Sequence, residues 1–360
     1  MNFTDSNRSV EILDTTLRDG SYAVDFQFTV GQTKSICRAL ESAGVRLIEI
    51  GHGVGMNAGS AGYREAIATD EEYMTAASAA CDDALWGMFC IPGVATLEDI
   101  ERAAEHDMGF IRIGTNINEV EESKPFIELA KSHDMFVAAN YMKSYARPPA
   151  ELAEKVELSR SYGADMVYLV DSAGGMMPET VKQYYSAARE ACDIPIGFHG
   201  HDNLGLSVAN SLMMAEEGAR VLDTSLMGLG RSAGNAPTET VVATLEKQGY
   251  DTGIDLFKLL RIAHKHIEPL QSNPIRLPLD IVAGFYEFHS SHLSKILDAA
   301  YSHDVDPALL IGKVCEQNKI YAPKDLIEEI AAEHSGEGEG RVEDYGFARY
   351  TGSEENERRK

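Results

Sequence analysis

Short apolar, β-branched runs recur along the chain at Val10–Leu13, Leu47–Ile50, Leu85–Phe89, Phe110–Ile113, Phe136–Ala139, Met166–Val170, Pro195–His201 and Val221–Met227. Each has the length of a strand, and stretches with the apolar spacing of helices lie between them. The helical stretches include Thr33–Ala43, Leu97–His106, Phe126–Ser132, Pro149–Tyr162, Pro178–Ala191, Leu206–Glu217 and Thr238–Lys247. Gly44, Gly109, Gly163 and Gly218 stand just past helices, where a left-handed residue closes the last turn. Strands alternating with helices imply parallel βαβ units. Eight such units in about 240 residues predict an α/β fold, a (β/α)8 TIM barrel. A doubly wound open sheet is the alternative, but the glycine-rich Gly51-His52-Gly53-Val54-Gly55 lacks the spacing of a dinucleotide-binding loop.

After Gly249 the pattern changes. Leu256–Ile267 reads as a helix, and Asn273-Pro274 and Leu277-Pro278 punctuate a connection. Ala283–Ala300, Pro307–Glu316 and Pro323–Glu333 then read as helices with no strand between them, a small helical C-terminal domain. The expected division is a barrel over 1–270, a helical domain over 271–335 and a flexible tail over 336–360, where Gly, Glu, Ser and Arg dominate.

At 360 residues and 44% hydrophobic content the chain can build a large barrel with an appendage. No apolar run is long enough to span a membrane, and Met1–Ser9 has no apolar signal core. Cys37, Cys81, Cys90, Cys192 and Cys315 form no close pair, which reads as reduced thiols and a cytoplasmic setting. A formal charge of −25 argues against nucleic acid or an anionic membrane as partner.

Candidate chemistry gathers at the ends of the strands, where barrel enzymes place it. His199 and His201 are two apart on the seventh strand and so share a face. Asp19 follows the first strand, and in a closed barrel it converges with them. Two imidazoles and a carboxylate with open positions describe a catalytic divalent-metal site. Arg18, beside Asp19, is placed to stabilise an anionic oxygen or to pair with Glu49. Glu49 and His52 lie in and after the second strand, and Thr115 and Asn116 follow the fourth. Asn140, Tyr141 and Lys143 follow the fifth, and Asp171 and Ser172 the sixth. Asp171 either caps the following helix or meets substrate with Ser172 and Glu49. Lys143 could form a Schiff base in a metal-independent aldolase, a reading the metal signature displaces.

Leu17-Arg18-Asp19-Gly20 and His199-Gly200-His201-Asp202-Asn203-Leu204-Gly205 resemble the two signatures of the DRE-TIM metallolyases (HMG-CoA lyase-like), over about residues 10–335. Ile48–Gly53, Val170–Gly174, Gly230–Pro237 and Ala283-Gly284-Phe285-Tyr286 make the chain most similar to the 4-hydroxy-2-oxovalerate aldolase subgroup. The resemblance implies metal ligation by Asp19, His199 and His201, with Asn235 as a further ligand or support. It implies that Arg18 stabilises a pyruvate enolate and that Tyr286 reaches the site from the helical domain. The subgroup's general-base histidine falls at a position occupied here by Tyr22, a poor base at neutral pH. Tyr22 and His52 are therefore the protein groups weighed for proton transfer, beside a metal-bound hydroxide.

The resemblance thus implies a carbon–carbon lyase that cleaves or forms a 4-hydroxy-2-oxo acid. The mixed nitrogen–oxygen ligand set favours Mn2+ or Mg2+, with Zn2+ or Co2+ as alternatives. A Claisen-type condensation of an acyl-CoA with a 2-oxo acid is the second enzymatic reading, and a non-catalytic assembly subunit the third. The partners implied are a 2-oxo acid, a homodimer mate, and an aldehyde dehydrogenase bound through the C-terminal domain.

Overall fold

The structure is a computed structural model that describes residues 9–271 and 277–345. The eight strands are β1 (Glu11–Leu17), β2 (Leu47–Ile50), β3 (Leu85–Cys90), β4 (Phe110–Asn116), β5 (Phe136–Met142), β6 (Met166–Asp171), β7 (Ile196–Gly200) and β8 (Val221–Thr224). Each pairs in parallel with the next, and β8 returns to β1 to close the barrel. The eight apolar runs are these eight strands.

Outside the barrel lie α1 (Val30–Ser42), α2 (Asp70–Ser78), α3 (Leu97–Glu105), α4 (Lys124–Ser132), α5 (Pro149–Ser161), α6 (Pro178–Ala191), α7 (Ser207–Glu217), α8 (Thr238–Lys247) and α9 (Leu256–His266). A capping box opens α1, in which the Gln32 amide donates to Thr29 Oγ1 and the Thr29 amide to Gln32 Oε1. The same device, Thr69 with Glu72, starts α2, a helix absent from the expected set. Gly44, Gly163 and Gly218 do terminate helices, with φ of 98°, 104° and 104°. Gly109 does not: Asp107 takes the left-handed turn at φ 59°, and the Gly109 amide already donates to Trp86 O in the sheet.

The core between sheet and helices is continuous, from Val10 just before β1 and Ile12 on it to Ile262 and Ile267 at α9. Inside the barrel, Leu13, Leu47, Phe110, Met166, Tyr168 and Val221 fill the middle. Above them, toward the C-terminal strand ends, the interior becomes charged.

The helical domain comprises α10 (Pro278–Tyr286), α11 (Leu293–His303), α12 (Pro307–Gln317) and α13 (Lys324–Glu333), around Leu279, Ile296, Leu310, Ile311, Ile327 and Ile330. The single helix expected over Ala283–Ala300 is two helices. Glu287 at φ 57° ends α10, and the turn Phe288–His292 turns back toward the barrel before α11 begins. The first part of the tail expected from 336 is packed rather than flexible. Through residue 345 the chain packs on the domain: Val342 is buried in its core, and the Gly340 amide and Tyr345 hydroxyl donate to Asp306. Residues 346–360 and the connection at Asn273-Pro274, beside the expected boundary at 270/271, lie outside the described residues.

The domain closes over the C-terminal end of the barrel. Asn203 Nδ2 donates to Asp280 O at 2.9 Å, and Lys143 Nζ to Ile320 O at 2.6 Å. Gly284 makes this approach possible, since a Cβ there would stand 2.9 Å from Asn203 and 3.0 Å from Leu204.

Candidate metal centre

Asp19, in the 3-10 turn Asp19–Val24 that follows β1, meets His199 and His201 from β7; one ligand atom from each lies within 4.8 Å of the others. All three side chains are buried. His199 Nδ1 is held by Asp223 Oδ2 at 2.9 Å and His201 Nδ1 by Gly234 O at 3.2 Å. An oxygen acceptor on each Nδ1 requires the Nδ1–H tautomer, so the lone pairs sit on the Nε2 atoms. Those two atoms converge, 3.5 Å apart. This is the arrangement of metal-ligating histidines, oriented from behind by a carboxylate or a carbonyl.

The electrostatics agree with it. Burial drives His201 down to about 3, which keeps its ring neutral. Burial alone would raise Asp19, but the positive charge of Arg18, with Arg231 behind it, outweighs it and holds the carboxylate ionised far below its usual range. Asn235 Nδ2 donates to Asp19 Oδ2 at 2.8 Å, while its Oδ1 is buried without a hydrogen-bond partner. A carboxylate, two neutral imidazoles and an orphaned amide oxygen fit a divalent cation. Gly230 leaves the room for this cluster, since a Cβ there would lie 2.6 Å from Asn235 Nδ2 and 2.9 Å from Asp19 Oδ2.

Arg18 is fixed beside the ligands. Its Nε donates to Glu49 Oε2 at 2.6 Å, its Nη1 to Asp19 Oδ1 at 2.7 Å, and its guanidinium lies over the Phe89 ring at 4.8 Å. Glu49 is fully buried and bridges Arg18 to Arg112, which continues to Asp223. The chain Arg18–Glu49–Arg112–Asp223–His199 therefore runs through the barrel interior and joins the cationic group to a ligand histidine. Burial would raise Glu49, yet Arg112 and Arg18 keep it lowered and ionised. Arg112→Met leaves Glu49 and Asp223 short of their shared partner inside the barrel. We expect it to lower the unfolding free energy by about 3–5 kcal/mol, read from urea midpoints at unchanged slope.

A cavity of about 540 Å³ opens in front of these groups. Arg18, Asp19, Tyr22, Ser172, His199 and His201 line it, so six of the expected site residues share one space. Asn116, Asn140 and Lys143 line it too, and Lys143 is tied to Ile320 O across the domain boundary.

Other expected residues are elsewhere. His52 accepts from the Val54 amide at Nδ1 (3.1 Å) and lies 2.8 Å from Arg64 O through Nε2, with Phe26 stacked on its ring at 4.1 Å. Both nitrogens serve the loop, so no lone pair remains for a substrate proton. The Asp171 carboxylate accepts from the Gly175 and Met176 amides at 3.1 and 2.9 Å, and thus shapes the turn before α6. Glu49 is sealed behind Arg18. Tyr286 is 37% exposed and rests against Gly312 on α12; within the Ala283–Tyr286 motif it is Gly284 that meets the barrel.

Several functional residues escaped the sequence reading. Arg112 and Asp223 are charges within otherwise apolar strands, a signal available in Phe110–Ile113 and Val221–Met227. Arg231 lies within the singled-out Gly230–Pro237 loop; its guanidinium covers the Tyr22 ring at 5.4 Å. His289, His292, Lys295 and Tyr321 reach the cavity from the helical domain, and nothing local marks them.

Barrel and site together define a metal-centred barrel enzyme. The chain belongs to the HMGL-like family, whose profile matches residues 9–265. Over 327 residues it is 38% identical to the 4-hydroxy-2-oxovalerate aldolase of Moorella thermoacetica, covering 91% of this chain and 97% of that one. To the protein of the same name from Carboxydothermus hydrogenoformans it is 36% identical, covering 91% and 98%. Among solved structures, the HMG-CoA lyase from Brucella melitensis superposes with a TM-score of 0.64 at 22% identity, covering 74% of this chain and 100% of that one. The carboxyl transferase domain of Rhizobium etli pyruvate carboxylase gives 0.75 at 17% identity, covering 92% and 61%. These two share the fold.

Proposed function

We propose that the chain is a divalent-metal-dependent aldolase that cleaves or forms the C3–C4 bond of a 4-hydroxy-2-oxo acid through the enolate of pyruvate. The observation that carries this is the convergence of Asp19, His199 and His201 with Arg18 held beside them. The aldolase relatives, matched over nearly their whole length, support the same reading.

Asp19, His199 and His201 would hold the cation, with Asn235 Oδ1 as a further donor. When bound, the ion supplies Lewis acidity at the keto group of a 2-oxo acid. Arg18 spends Nε and Nη1 on Glu49 and Asp19, which leaves Nη2 to face the oxygen that becomes negative as the bond breaks. Ser172 Oγ accepts from the Lys143 amide at 2.9 Å and lines the same cavity. The helical domain, over the mouth, limits water around the charged intermediate. Mn2+ or Mg2+ suits the donor set better than a thiolate-seeking ion would.

The test is pyruvate release from 4-hydroxy-2-oxo acids by metal-reconstituted protein, beside a free-CoA assay with acetyl-CoA and 2-oxo acids. CoA release without pyruvate would replace the aldolase reading with the Claisen one, and silence in both with the assembly subunit.

Tyr22 forms the cavity wall between Gly53 and the Arg231 guanidinium; a Cβ at Gly53 would lie 2.6 Å from its ring. Tyr22→Phe removes at most a neutral hydrogen bond there. It is expected to keep kcat within about tenfold and to shift the preference among aldehyde chain lengths, measured as kcat/KM ratios.

The same reading extends to assembly. Ile281 and Phe285, four apart on α10 and 50% and 71% exposed, form an apolar stripe that supports contact with an aldehyde dehydrogenase. Sedimentation of the chain alone at twice its mass would assign this stripe to a homodimer instead. Five free thiols, four of them buried, support a reducing, cytoplasmic setting, and none of the described helices is long and apolar enough to cross a membrane.

A further inference from the structure

We infer that His289, carried to the barrel mouth by the turn between α10 and α11, is the group that moves the C4 hydroxyl proton. The inference rests on the aldolase reading above.

Cleavage of a 4-hydroxy-2-oxo acid requires a base at the C4 oxygen. Of the two protein candidates visible in the sequence, His52 is used up by backbone contacts, and Tyr22 is a phenol. The ligand histidines have their Nε2 atoms turned to the metal position. His289 and His292 are the other histidines lining the cavity.

The geometry distinguishes His289. It is 6% exposed and lines the cavity. Its Nδ1 lies 2.6 Å from Ser291 Oγ and its Nε2 lies 2.7 Å from Arg231 Nη2. A guanidinium can only donate, so Nε2 must accept, and the single proton of the neutral ring sits on Nδ1, aimed at Ser291 Oγ at 2.6 Å; the Ser291 amide, 3.3 Å from the same nitrogen, is the weaker contact that this tautomer gives up. The basic lone pair is thereby directed at the Arg231 guanidinium, which also covers the Tyr22 ring at 5.4 Å, while the Arg231 backbone amide donates to Asp19 Oδ2 at 3.4 Å. The imidazole that the barrel loop lacks at position 22 is thus brought to the same wall from the second domain.

The chemistry balances. His289 Nε2 takes the proton of the C4 hydroxyl, and the freed electron pair forms the aldehyde carbonyl. The C3–C4 pair passes to C3 and the keto group, giving the enolate opposite Arg18. The proton held on His289 then returns to C3, which yields pyruvate and the aldehyde with no other reactant. Arg231, next to both Nε2 and the reacting oxygen, favours the alkoxide as it forms. The charged and titratable groups facing His289 are Arg231, Lys143, His292 and His201. With burial they lower its pKa well below the ordinary histidine range, which keeps Nε2 unprotonated at neutral pH; its lone pair is held by a side chain of the cavity wall, Arg231, which a substrate hydroxyl displaces, whereas that of His52 is held by a backbone amide of its own loop.

The experiment uses metal-loaded, full-length protein and compares wild type with His289→Asn and His289→Ala. Pyruvate release from a 4-hydroxy-2-oxo acid should fall about 10²–10⁴-fold in kcat, with bound metal and melting temperature unchanged. Added imidazole should restore part of the activity of His289→Ala. Decarboxylation of oxaloacetate forms the same enolate without a proton at a C4 oxygen, so it should stay within about threefold of wild type. A kcat for cleavage within threefold in both variants overturns the assignment, as does equal loss of both reactions. A wild type that releases pyruvate while the variants match it sinks only His289. A wild type inactive on every 4-hydroxy-2-oxo acid takes the aldolase reading down with it.

Discussion

Alanine at His199 or at His201 is expected to abolish metal binding and turnover while the barrel stays folded. Each imidazole presents its Nε2 to a common point because its Nδ1 is already engaged, His199 by Asp223 and His201 by Gly234 O. Removing one leaves Asp19 with a single imidazole and the weaker amide oxygen of Asn235, too few strong donors for a catalytic ion. The fold should survive because neither ring is part of the apolar core. Metal analysis after dialysis should fall from about one equivalent to near zero, and activity should fall with it. A second readout needs no substrate. Saturating Mn2+ or Mg2+ stabilises a protein that binds it only when folded, by about 2.7 kcal/mol at a hundredfold excess over Kd. The wild type should gain this thermal shift and the variants should not. Full activity after exhaustive chelation would sink the metal centre. So would a borohydride-trapped pyruvate adduct on Lys143, whose amine the structure instead ties to Ile320 O.

How far the sequence reached depends on where the information lies. The strands were legible because a parallel barrel buries them on both faces, so each reads as an unbroken apolar run. The α2 helix was not: it buries Tyr73, Met74, Ala76 and Ala77, and two alanines make a weak apolar stripe. The break between α10 and α11 contains neither Gly nor Pro; Glu287 takes the left-handed turn, so the helical pattern seemed to run on. The convergence of His199 and His201 was legible because a two-residue period on a strand fixes the direction of both side chains. His52 had the right chemistry and the wrong partners, since only the folded loop reveals that Val54 and Arg64 occupy its nitrogens. His289, Lys295 and Tyr321 depend on how a second domain docks, a matter of tertiary packing rather than of local pattern. The Ala283–Tyr286 motif marks that docking through Gly284, not through its tyrosine.

Arg18→Lys should reduce kcat by about 10²–10³-fold, the loss expected for one donor at a developing oxyanion. The guanidinium meets Glu49 and Asp19 through two different nitrogens at 2.6 and 2.7 Å, which leaves Nη2 over in a side chain that lines the cavity. A lysine ammonium is a point charge on a flexible stem and cannot hold two carboxylates and aim a third donor in one plane. The change should leave stability nearly intact, in contrast to Arg112→Met. Glu49 keeps the Arg112 fork when Arg18 is lost, so no carboxylate is stranded without a cation. Asp19 retains Asn235 and its ligand histidines, so metal content should hold as well. Loss in kcat with KM little changed means that Arg18 acts on charge present in the transition state and not on the ground-state substrate. An unchanged kcat with a raised KM would instead reduce Arg18 to a carboxylate clamp and leave the enolate oxygen without a protein donor.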